Sequence, residues 1–158
     1  MQSLNIVDSR GLRLVRLHDI PEDRCGEFSP LTHAIVCART PEGVVLVRNR
    51  ETHVWELPGG LIDAGETTRM CAMREFVEET GQQSALLRWC GLTELRGMPG
   101  RRHSLPYVEF GALYRADIVQ LERPRHQTIE IEEVAVWPIT SLPDRTSMID
   151  AELLSLFK

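Results

Sequence analysis

Residues 55–81, "WELPGGLIDAGETTRMCAMREFVEETG", constrain this chain more than any other stretch, because a glycine-rich turn runs directly into a helix crowded with acid. On that helix Met70, Met73 and Val77, with Ala72 and Phe76 beside them, supply an apolar side, while Arg74, Glu75, Glu78 and Glu79 fill another sector. The spacing predicts a helix from about Thr67 to Thr80, with Gly81 suited to the left-handed position that ends it. Residues three and four apart are neighbours on a helix, and like charges there cost roughly 0.2–0.5 kcal/mol per pair. The apolar side must pack on a sheet, and something must offset the repulsion on the other side.

Strand-like runs with β-branched or aromatic content occur at Leu31 to Ala38, Val44 to Arg48, Ala85 to Leu95, Tyr107 to Ile118 and Glu133 to Ile139. A second helix is expected near the C-terminus, where Ser147 and Asp150 resemble a capping box ahead of Leu153, Leu154 and Phe157. Strands interrupted by one helix and closed by another imply an α/β layered domain with a mixed sheet. The length, 158 residues, suits one domain with one core, and neither a repeat nor a Gly/Pro/Ser-rich linker marks a boundary.

No stretch approaches the roughly 18 apolar residues of a membrane span. The first twenty residues are broken by charges and lack a secretory pattern, so a cytoplasmic protein is expected. Cys25, Cys37, Cys71 and Cys90 lie far apart with no C-x-x-C, which favours reduced thiols over a zinc or redox site. A net charge of -5 argues against binding long nucleic acid but says nothing against small phosphorylated ligands.

Clustered carboxylate oxygens whose basic neighbour is Arg74 suit Mg²⁺ or Mn²⁺, hard cations that share oxygen ligands with substrate phosphates. A solvated acidic helix face is the plainer alternative. The Gly-rich turn and the spacing weigh against it: Gly60, Glu66 after five positions, Arg74 and Glu75 after seven more, then Glu78, Glu79 and Gly81. Seven fixed residues at a background of roughly 7% each would coincide by chance in on the order of 10⁻⁸ of windows. This pattern resembles the Nudix box, G-x5-E-x7-R-E-U-x-E-E-x-G-U, where U is a bulky apolar residue. Phe76 fills the first U, and Gln82 stands at the last in place of an aliphatic side chain.

The resemblance implies a Nudix fold, an α/β/α sandwich with a mixed central sheet, over a single domain spanning residues 1–158. It implies metal ligands at Glu75, Glu78 and Glu79 and at the carbonyl of Gly59, with Glu66 in support and Arg74 holding a carboxylate in place. In the family the general base is either a helix glutamate or an acid from a later loop. Here Glu130 is preferred over Glu132 and Glu133 in "HQTIEIEEVAVWP".

Arg48 and Arg50, at the end of the strand before the box, are candidate substrate cations or plain surface charges. Glu56 is a candidate further ligand or an outward strand residue, and Trp55 either stacks on a base or belongs to the core. His33, His53, His103 and His126 show no paired spacing and are read as incidental.

The reaction implied is hydrolysis of a nucleoside diphosphate linked to a moiety X. The segments "HVWELPGG" and "LPYVEFGALYRADI" resemble a bacterial subgroup acting on nucleoside triphosphates, oxidised guanine nucleotides included, to give the monophosphate and pyrophosphate. ADP-ribose is the rival substrate, on the strength of Pro99 in "GMPGRRHS". A binding module without activity is the rival class. The expected partner is a small nucleotide, and the reading leaves room for a homodimer.

Overall fold

In the computed structural model, residues 2–83, 85–100, 103–122 and 128–157 are described. Nine strands among them form one sheet: β1 (Gln2–Val7), β2 (Arg13–His18), β3 (Leu31–Thr40), β4 (Gly43–Asn49), β5 (Trp55–Glu56), β6 (Gly59–Leu61), β7 (Leu87–Gly97), β8 (Tyr107–Asp117) and β9 (Ile131–Trp137). The order is β1-β2-β7-β8-β3-β4-β5, with β6 paired to β3 and β9 to β4. Only the β3–β8 pairing among these is parallel, so the sheet is mixed as expected.

Two helices cover its faces, α1 (Thr68–Thr80) and α2 (Met148–Ser155). The period-2 alternation of strands divides the core between them. Ala34, Val36 and Ala38 of β3, with Val45, Ala112 and Tyr114, meet Cys71, Ala72 and Phe76 of α1. Cys37, Val44, Leu46, Leu95 and Leu113 point the other way, toward Ile149, Leu153 and Leu154 of α2. The result is the α/β/α sandwich.

Helix α1 starts one residue later than its sequence suggests, because Thr67 is its cap and accepts a hydrogen bond from the Met70 N–H. It ends at Gly81, φ 66°, whose N–H reaches the Val77 carbonyl. Its buried face is also rotated from the expected stripe: Thr68, Cys71, Ala72, Phe76 and Thr80 face the sheet, and Met70 is 56% exposed. Small side chains at 71 and 72 let the helix approach the sheet and the preceding loop. Thr68 satisfies its hydroxyl against that of Tyr114 at 2.7 Å. Gln82 is buried and uses its amide to join Thr80 and Glu122, a polar tie where an aliphatic contact is usual in the box.

The β1–β2 hairpin has no counterpart among the expected strands. Alternating charges that look like loop composition are here the pattern of an edge, with Leu4 and Leu14 turned into the core. Ser147 caps α2 as expected, accepting from the Asp150 N–H at 3.3 Å. His126 lies outside the described residues.

Candidate active site

The box loop folds back over α1 because Arg74 gathers it. Its guanidinium donates to both oxygens of Glu66 (2.8 and 3.0 Å), to Glu75 (2.7 Å), to Glu78 (3.3 Å) and to the Leu61 carbonyl (3.0 Å). Planar, forked donors suit this task, and the fork fixes several side chains at once. The Arg74 bonds, with a backbone bond from the Asp63 N–H, hold the Glu66 carboxyl down at about 2.

Glu75 and Glu79 lie deeper than Glu78. An added Cβ on Gly60 would overlap the Glu75 carboxylate, so only glycine leaves that carboxylate its place beneath the loop backbone. Glu79 accepts from the Gly59 N–H at 2.9 Å. Burial pushes the Glu79 carboxyl up to about 8, against that hydrogen bond, and the charges of Glu75, Glu56 and Glu130 push the same way. Burial likewise raises Glu75, with Glu78 and Glu130 adding to it. Acids separated by up to 74 positions are thus electrostatic neighbours around the backbone of Gly59 and Gly60, and Glu78 stands at the exposed edge of the group.

The donor chemistry fits a divalent cation: desolvated carboxylates that repel one another beside a bare backbone gain from positive charge. As the side chains stand, no three His, Cys, Asp or Glu among the described residues are closed around one point. Water and substrate phosphate oxygens complete the shell of such a metal in sites of this kind.

A cleft of about 620 Å³ adjoins the box at Gly59, Gly60 and Glu56. Leu12, Ile35, Leu57, Leu95 and Ile149 give it apolar walls. Arg10 lies on it from the β1–β2 turn, held through its Nε by Asp8 at 2.9 Å. Tyr107 stacks on His103, with centroids 3.9 Å apart, and both line the cleft with Glu109. Asp150 also lines it; burial pushes its carboxyl up to about 7, while the Leu57 N–H donates to it at 3.1 Å. His33, at the cleft, is held neutral by burial, which lowers it to about 4.

The remaining expected site residues separate. Glu56 lines the cleft, half-buried and raised by that burial. Trp55 is 6% exposed and meets Trp137 edge-on at 5.6 Å inside the core, which is the plainer of its two readings. Arg48 sits 3.8 Å from both Glu132 and Glu133 on β9. Arg50 donates to backbone carbonyls of the 128–131 turn, and Glu130 stands exposed on that turn. Arg10, His103, Tyr107, Glu109 and Asp150 were missed as cleft residues. Asp150 carries a capping signal, and Tyr107 and Glu109 lie in a segment that bears a resemblance, but nothing local points any of the five at a cleft; the tertiary fold brings them together.

The NUDIX domain family model matches residues 30–157. The chain is 30% identical over 69 residues to a Bacillus subtilis (strain 168) protein provisionally named 8-oxo-dGTP diphosphatase, a match covering 44% of this chain and 46% of that protein. It is 34% identical over 73 residues to an RNA pyrophosphohydrolase of Rhodopseudomonas palustris (strain HaA2), covering 45% of this chain and 42% of the relative. The chain thus spans less than half the length of these relatives. The crystal structure of a point mutant of the Bacillus subtilis pyrophosphohydrolase BsRppH superposes with a TM-score of 0.71 at 21% identity, over 96% of this chain and 91% of the other.

Proposed function

The chain belongs to the Nudix family, and on that premise we propose that it is a metal-dependent pyrophosphohydrolase that cleaves a nucleoside triphosphate, oxidised forms included, to the monophosphate and pyrophosphate. One observation carries this reading: Glu75 and Glu79, desolvated and mutually repelling, meet the bare backbone of Gly59–Gly60 at the end of a cleft large enough for a nucleoside. The relatives named for 8-oxo-dGTP and for RNA pyrophosphohydrolysis support a nucleoside diphosphate core with variable attachments.

Glu75, Glu78, Glu79 and the Gly59 carbonyl are the residues assigned to hold Mg²⁺ or Mn²⁺, with Glu56 beside them. A divalent cation there supplies charge neutralisation for the diphosphate and polarisation of the phosphoryl oxygen. The protein's own groups do the rest. Glu130 accepts the proton of the attacking water as its oxygen bonds to phosphorus, and the α–β anhydride P–O bond breaks with its electron pair leaving on the departing half, so that nucleoside monophosphate and pyrophosphate result. Arg74 keeps Glu66, Glu75 and Glu78 in fixed rotamers, so little reorganisation is needed. The apolar cleft walls and the His103–Tyr107 pair take the nucleoside.

The test is turnover of a panel of nucleoside triphosphates, 8-oxo-dGTP, ADP-ribose and 5′-triphosphorylated RNA with Mg²⁺ or Mn²⁺, with products resolved by chromatography. Pyrophosphate and a monophosphate from a triphosphate are expected. Turnover confined to ADP-ribose would move the substrate to the rival, and binding without turnover of any member would make the chain a binding module.

A further inference from the structure

Four consecutive carbonyls, those of residues 128 to 131, accept hydrogen bonds from a single residue. Arg50 donates through Nε to Ile129 (2.9 Å), through Nη2 to Thr128 (3.4 Å) and Ile131 (3.1 Å), and through its backbone N–H to Glu130 (2.8 Å). We propose that Arg50 is a positioning residue: its clamp on the 128–131 turn holds Glu130 against the α1 carboxylates, and it does not act as a phosphate-binding cation. The proposal rests on the role given to Glu130 above.

Three features carry it. The clamp has a rigid base, because Asn49 caps the turn that follows β4 through bonds from the Glu51 and Thr52 N–H groups, and the His53 N–H returns to the Asn49 carbonyl. The turn is anchored at its far end, where Ile131 is 6% exposed and pairs with Asn49 at the start of β9, but its middle depends on the clamp: Ile129 is 91% exposed, and besides the Arg50 bonds the Ile131 N–H bonds to the Thr128 hydroxyl at 2.8 Å. The turn opens β9, which packs against α1, so a displaced turn moves the acid it carries relative to that helix. A guanidinium can serve three carbonyls from one plane, whereas an ammonium on a flexible stem cannot hold that geometry.

The experiment compares wild type, Arg50→Ala, Arg50→Lys, Glu130→Gln and the Arg50→Ala/Glu130→Gln double variant, in steady-state kinetics with Mn²⁺ and in amide hydrogen exchange of the metal-free protein. Arg50→Ala should lower kcat about tenfold with KM changed less than about twofold, and Arg50→Lys should recover part of it. In the Glu130→Gln background the same substitution should cost less than about twofold, since a clamp has nothing left to position. Exchange at position 50 and at Ile131 should speed at least about tenfold in Arg50→Ala while α1 is unchanged. A rise in KM with kcat intact, or losses that multiply in the double variant, would overturn the proposal. Unchanged exchange would overturn it even if no substrate is turned over, a result that would count separately against the hydrolase reading.

Discussion

Two arginines organise the two sides of this site, and they do so through different acceptors. Arg74 gathers side chains, the carboxylates of Glu66, Glu75 and Glu78, all within eight residues of itself. Arg50 gathers backbone, the carbonyls of Thr128, Ile129 and Ile131, from 78 to 81 residues away. In the first cluster the acceptors are charged carboxylates, which respond to pH. In the second the guanidinium meets neutral backbone carbonyls, whose places are set by the β4–β9 pairing. One element is built locally from charged side chains, and its counterpart is brought to it by a sheet and held through backbone carbonyls.

The largest expected effect tests what both arginines serve. Glu79→Gln should lower turnover by about 10³-fold or more with the circular dichroism spectrum unchanged, since it removes a carboxylate assigned to hold the metal without altering shape. Turnover within tenfold of wild type would dissolve the contrast, because neither cluster would then surround the chemistry.

Arg74→Ala comes next, at about 10–100-fold in kcat. It also carries a pH signature that Arg50→Ala should lack. The Glu66 carboxyl lies at about 2 instead of its ordinary 4.5, so the stability it contributes is complete above pH 4.5 and is lost as pH falls through about 2. In Arg74→Ala the Glu66 carboxyl should titrate back toward 4.5 by NMR, and the gap in Tm from wild type should close as pH drops from 4.5 to 2. A gap independent of pH would mean that Arg74 acts by packing alone.

Gly60→Ala should cost about tenfold in activity, because the new methyl displaces the end of the Glu75 side chain and not a piece of backbone. A large fall in Tm with activity preserved in the folded fraction would show that the loop yields and Glu75 stays. Smallest is Thr128→Val, which removes the acceptor for the Ile131 N–H. It should lower stability by about 1 kcal/mol, or Tm by about 2–4 °C, and kcat no more than about twofold while Arg50 still holds the turn. A loss as large as that of Arg50→Ala would make the threonine, and not the arginine, the clamp.

How much was legible follows the same division. The α1 carboxylates and the cap at Gly81 depend on residues within one or two helical turns and could be read from spacing; Arg74 is expected to hold a carboxylate, but its reach to Glu66 and the Leu61 carbonyl depends on how the loop folds back. The alternating strands could be read too, except where β1 and β2 mix charge into an edge. Met70 belongs to the apolar stripe by periodicity and yet lies outside the core, because helical periodicity defines a stripe only to within about a residue. The small side chains of Cys71 and Ala72 set which side meets the sheet.

By itself the sequence determined the chemistry of one helix: which carboxylates crowd together, which arginine restrains them and where the helix stops, since helical geometry turns three- and four-residue spacings into contacts. Only the tertiary structure decided that Glu56 and Glu130 join Glu79, that Trp55 is core, that Arg10, Tyr107 and Asp150 share a cleft, and that Arg50 holds a distant turn. Those neighbours depend on strand order and register, which arise from how the whole sheet closes its two cores and leave no local periodicity to read.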